Sequence, residues 1–153
     1  MLNIFSIIFF IIGYVNASQF DVSNCKNGDY VEATIISPLQ FQKAAKTIKS
    51  IPLSHTKFNI QTDDGNKFNV VVDNVFAHDF DPNNDQIPLS FKNAFTINQK
   101  VNLCGLEFLK PENGIHWVHT NCGDTQNKNP DGFVVIDGYD YTDSTNYCYL
   151  WND

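Results

Sequence analysis

Residues 114–123 read GIHWVHTNCG, and the side chains most capable of chemistry gather there. His116 and His119 bracket Trp117, and His55 stands upstream in HTKF. Imidazole titrates near neutral pH and ligates metals, so two readings open: acid–base chemistry, or a zinc site. The run lies between turn signals and is expected to be a strand, in which successive side chains alternate between faces. Ile115, Trp117 and His119 then share one side, and His116 and Val118 share the other. On that geometry His116 and His119 reach one metal only if the strand bulges or ends near Val118. The expectation is no metal and no cofactor, with zinc at His55, His116 and His119 as the variant to exclude. Trp117 and His119 together make the expected ligand-binding face. The histidine that faces the core should cost stability when removed, and the one beside the cleft should cost function.

Those residues have to be positioned by strands. Residues 29–39, DYVEATIISPL, are rich in strand formers and end at Pro38. Phe58, Ile60 and Thr62 alternate with polar residues, as do Phe68, Val70 and Val72 beyond Asp64-Gly65, which predicts a β-hairpin. A turn-rich connection follows. Residues 99–109 form a further strand, and KPENG turns the chain into the histidine stretch. GFVVID is a short additional strand. Between the first strand and the hairpin, Lys43, Lys46 and Lys49 recur every three residues, as on one helical turn or a long loop, and read as a solvated face. The order strand, hairpin, long connection, hairpin predicts an all-β chain. Its expected form is a small five-stranded barrel resembling an oligonucleotide/oligosaccharide-binding fold, with a β-sandwich as the alternative.

Composition bounds the partners. The chain has no arginine and a formal net charge of −7. A nucleic-acid binder neutralises phosphates and grips them with arginine, so nucleic acid is not the expected partner. The apolar run from Ile4 to Val15 is too short to span a bilayer and suits a signal peptide. Residues 1–17 are expected to be cleaved, leaving residues 18–153 as one domain, secreted or periplasmic. Cys25, Cys104, Cys122 and Cys148 are four cysteines without a CxxC, which in an exported chain predicts two disulfides. The favoured pairing is Cys104 with Cys122 and Cys25 with Cys148.

Other motifs fail on inspection. HDFDPNND places Asp79, Asp81, Asn83 and Asp85 as in the first half of a calcium loop. Asn84 then occupies the glycine position, and Ser90 replaces the bidentate glutamate. No nucleophile elbow, phosphate loop or Cys-His pair is present.

From HTKF through VVVDN, IPL, VNLCGLEFL, NGIHWVHTN and DGFVV, the order of residues resembles a bacterial domain-of-unknown-function family. Its members are small exported proteins with an Ile-His-Trp-Thr-His motif. The likeness covers about residues 51–138. It implies that His55, Asn74, His116, Trp117 and His119 occupy the family's marked positions. Val118 replaces a threonine, Phe133 replaces a tryptophan, and Asp73 stands where a histidine commonly precedes the asparagine. Two functions are therefore expected. The first is an exported ligand-binding module using Trp117 and His119, for a glycan or other non-nucleic polymer. The second is a His-dependent or metal-dependent hydrolase, such as a phosphodiesterase or nuclease, with His119 or His116 as base and His55 or Asn74 in support.

Overall fold

The computed structural model describes residues 20–124, 126 and 129–151. The expected signal peptide, residues 1–17, lies outside them. Strand β1 (Asp29–Ile35) is followed by β2 (Gln40–Gln42) and a small hairpin of β3 (Thr47–Ile48) and β4 (Ile51–Pro52). The long hairpin β5 (His55–Gln61) and β6 (Lys67–Asp73) comes next. A connection carrying helix α1 (Leu89–Ala94) leads to β7 (Lys100–Phe108) and β8 (Gly114–His116). Strands β9 (Phe133–Ile136) and β10 (Tyr139–Asp140) complete the set.

The barrel closes in the order β1-β5-β6-β8-β7, with β7 pairing back onto β1. Strand β6 runs parallel to β8 and the other barrel pairs are antiparallel, so the five-stranded barrel is mixed. Closure excludes the sandwich. The expected alternation holds: Thr56, Phe58 and Ile60 of β5 and Val70 and Val72 of β6 are buried. They meet Val101, Leu103 and Ile115 in one core. Burying each such apolar side chain stabilises the fold by roughly 1.5–3 kcal/mol. Phe91 of α1 stacks on Phe95 at 4.7 Å, and Phe95 meets Phe58, so the helix closes one end of the barrel.

Asp79 and Ser90, the outer positions of the calcium-like loop, contact each other instead of a cation. Ser90 donates its N–H (2.8 Å) and hydroxyl (2.5 Å) to Asp79, fixing the start of α1. The lysine-rich segment forms neither a helical turn nor a plain loop. Lys49 and Ser50, at φ 47° and 68°, make the tight turn of the β3–β4 hairpin.

Both disulfides are present, but the favoured pairing is overturned. Cys25 bonds Cys104, and Cys122 bonds Cys148. Val101 and Leu103 of β7 face the barrel core, so Cys104 points to the opposite side. There it meets Cys25, Tyr30 and Phe133 in an outer cluster. Cys122 lies beyond the barrel wall, beside the C-terminal turn that carries Cys148. Among the described residues no helix is long and apolar enough to cross a membrane. Two disulfides fit an oxidising compartment.

Candidate functional site

The hairpin register builds the centre of the site. His55 opens β5, Asp73 closes β6, and the two are direct cross-strand partners. Because Thr56 and Val72 point into the barrel, His55 and Asp73 point out of it. His55 Nε2 bonds Asp73 Oδ1. Beneath them Asn74 is completely buried: it accepts from the Thr56 hydroxyl at 2.6 Å and donates to the Ser54 hydroxyl at 3.0 Å. Its own N–H donates to the Ser54 carbonyl at 3.0 Å. Asn74 therefore clamps both neighbours of His55 to the residue following Asp73. It is not a lining residue.

His119 reaches the same carboxylate from another direction, and the route corrects the strand geometry expected above. Strand β8 ends at His116, and Trp117 takes φ 59°. A left-handed residue turns the chain, so the alternation stops there. Val118 swings into the core beside Ile115, and His119 swings out to Asp73. Two glycines leave room for this corner. A β-carbon at Gly105 would collide with the His116 carbonyl, and one at Gly132 with the Trp117 carbonyl. Gly132 N–H also donates to the His119 carbonyl at 2.8 Å, which holds the corner against the strand-like loop outside it.

The two histidines thus part company. His116 is exposed, lies against the edge of Phe108, and does not line the cleft. Desolvation and the nearby His119 lower its pKa despite the attraction of Asp73. His119 is only 5% exposed and stacks on Phe76 at 3.8 Å and 7°. Its Nδ1 donates to the Thr120 carbonyl at 2.8 Å. Its Nε2 lies 3.3 Å from Asp73 Oδ2, close enough for charge attraction but without in-line hydrogen-bond geometry. Burial alone would raise the Asp73 carboxyl, but His119 and His55 beside it outweigh that and hold it well below the usual carboxylate range.

Around this hub is a cleft of about 360 Å³. Trp117, Phe76 and Trp151 form its aromatic wall, and Lys46 and Asn121 stand among its polar residues. Trp151 stacks on Phe76 at 5.3 Å and 14°, and Trp117 meets His119 at 5.3 Å. The volume falls in the range of small-ligand sites, roughly 300–1,000 Å³. Three ring nitrogens are buried with no hydrogen-bond partner: His55 Nδ1, His119 Nε2 and Trp117 Nε1. Of the zinc trio, His55 and His119 line the cleft and His116 does not. Among the described residues no group of three or more His, Cys, Asp or Glu is placed to hold a metal.

Sequence reasoning singled out His55, Trp117 and His119, which line the cleft, and did not place Asp73, Phe76, Lys46 and Trp151 there. A signal existed for Asp73, since His55 and Asp73 stand equally far from the hairpin turn at Asp64. For Trp151 and Phe76 there was no such signal, because they meet through tertiary packing. No family model matches the chain, and neither a curated protein nor a solved structure matches it.

Proposed function

We propose that the protein is an exported, histidine-dependent hydrolase whose active site is the His55–Asp73–His119 cleft. One observation carries this reading: a single half-buried carboxylate engages an imidazole from each of two separate chain segments inside one aromatic-walled cleft. An ionised carboxylate only accepts hydrogen bonds, so His55 turns its Nε2–H toward Asp73. That leaves the His55 Nδ1 lone pair as a proton acceptor, oriented by Asp73 as a general base requires. His119 donates from Nδ1 to Thr120 O and presents Nε2 to the cleft, 3.3 Å from Asp73 Oδ2. A proton on Nε2 would lie between the carboxylate and the cleft, the place of a proton donor. A base and an acid tied to one anion suit the two halves of a hydrolysis: activation of water, then protonation of the leaving group.

The binding-module reading draws on a different observation, the continuous wall of Trp117, Phe76 and Trp151, on which a glycan ring could stack. A panel of chromogenic acyl esters, phosphodiesters and glycosides separates the two. The hydrolase reading expects turnover of one class, falling at least ~100-fold in His55→Ala and Asp73→Asn. Saturable glycan binding with no turnover in any class, unchanged by Asp73→Asn, would make the protein a binding module instead.

A further inference from the structure

We infer that the cleft takes a small phosphate ester carrying a flat ring, an inference that borrows its bond-breaking step from the hydrolase reading but rests on separate groups for recognition. The polar atoms of the cleft are unequal. Apart from His55 Nδ1, several of its side-chain acceptors are already engaged: the two Asp73 oxygens face the two histidines. Asn121 Oδ1 accepts from Gly123 N–H at 3.0 Å, Thr120 Oγ1 from Cys122 N–H at 3.1 Å, and Asp124 Oδ1 from Gln126 N–H at 2.9 Å. Its donors are not. Trp117 Nε1 can only donate and has no partner, although it is buried. His119 Nε2 is likewise buried without a hydrogen-bond partner, 3.3 Å from Asp73 Oδ2. Lys46 stands exposed at the rim and enters no ion pair among the described residues.

Buried donors without acceptors are costly, so the fitting ligand is acceptor-rich. A phosphoryl group offers only acceptors and carries the charge that Lys46 at the rim complements. A neutral sugar brings a donor with each hydroxyl, and these would find few free acceptors. The aromatic wall calls for a flat ring beside the phosphate. The chain's net charge of −7 and its lack of arginine argue against a long polyanion. For a diester the step balances as follows. Water loses a proton to His55 Nδ1 and its oxygen bonds to phosphorus. The P–O bond to the leaving group breaks, and the leaving oxygen takes the proton from His119 Nε2. Solvent then returns one proton to His119 and removes one from His55.

Both tryptophans of the chain line the cleft, so tryptophan fluorescence, excited apart from the tyrosines, reports on this site. The test titrates the full mature chain with phenyl phosphate, with phenyl glucoside, and with inorganic phosphate as competitor. Phenyl phosphate is expected to change the fluorescence saturably and inorganic phosphate to reverse it. Lys46→Ala is expected to weaken binding roughly tenfold, as for a lost charged contact. Binding of phenyl glucoside as tight as that of phenyl phosphate, or indifference to inorganic phosphate, overturns the inference. The two readings can fail separately. Phosphate binding without hydrolysis of bis(p-nitrophenyl) phosphate supports the ligand class and removes the hydrolase. Hydrolysis of another bond class without phosphate binding does the reverse.

Discussion

At the ring of His119, packing and chemistry meet on one residue. One face is covered by Phe76 while Nε2 faces Asp73 and the cleft, so the packed position and the cleft position, which the strand pattern divided between His116 and His119, coincide at His119. His119→Ala should therefore lower stability by ~1–3 kcal/mol and abolish turnover, since it removes a stacked ring and leaves Asp73 with one partner. His116→Ala, at an exposed position, should stay within about 0.5 kcal/mol of wild type. Urea unfolding of the two variants decides this; equal losses would mean that the corner at Trp117 is misplaced. Asp73 itself links the site to pH. Its folded pKa is depressed, so its stabilisation is present above the unfolded carboxylate value near pH 4 and disappears as pH falls toward the folded value. Asp73→Asn should flatten the acid limb of the wild-type stability curve, as measured by melting between about pH 2 and 6. An acid limb unchanged in the variant would remove Asp73 from the linkage.

Among the elements, the β5–β6 hairpin was the most legible, because its buried residues alternate on both sides of an Asp-Gly turn. The same alternation misled at β8. Nothing in the letters IHWVH marks Trp117 as left-handed; that corner depends on the space left by Gly105 and Gly132, which only the paired strands reveal. Gly132→Ala should disturb Trp117 and His119 together, because its new methyl would meet the Trp117 carbonyl, and backbone cannot give way as a side chain can. Strand β10 carries a charge whose energetics run opposite to those of Asp73. Burial pushes the Asp140 carboxyl up to about 6, against hydrogen bonds from Thr142 N–H and Oγ1. The folded state then holds its proton more tightly than the unfolded state, so stability falls as pH rises from about 4 to 6. Asp140→Asn keeps an acceptor for Thr142 and removes the charge. The variant should match wild type near pH 4 and exceed it by on the order of 1–2 kcal/mol at pH 7. Thermal melts at the two pH values test this, and a variant less stable at pH 7 would show that the charge is a net asset.

On the scale of the whole molecule, the barrel and its cleft are joined by cross-links that do different work. The succession of strands along the chain was readable because strand spacing and turn chemistry are local, whereas barrel closure depends on the parallel β6–β8 pair and the cysteine pairing on which face of β7 Cys104 occupies and on where the C-terminal turn returns. Cys25–Cys104 spans 79 residues and fastens the N-terminal segment over a fully buried Cys104. Cys122–Cys148 spans 26 residues and fastens the turn that leads to Trp151 beside the loop that follows His119. In the chain-entropy model the longer loop contributes roughly 4–5 kcal/mol and the shorter roughly 3–4. Paired Cys→Ser variants should therefore both melt earlier, with the Cys25/Cys104 pair losing more. Their effects on the cleft should divide the other way. Releasing Cys122 and Cys148 frees the segment whose Trp151 stacks on Phe76, so tryptophan fluorescence should shift in the folded variant and ligand binding should weaken. Releasing Cys25 and Cys104 leaves that wall in place, since neither residue lines the cleft, and fluorescence below the melt should match wild type. The measurement is the emission spectrum of each pair of substitutions well below its melting temperature. A shift caused by Cys25/Cys104 and absent from Cys122/Cys148 would place the aromatic wall under the control of the barrel, not of the C-terminal turn.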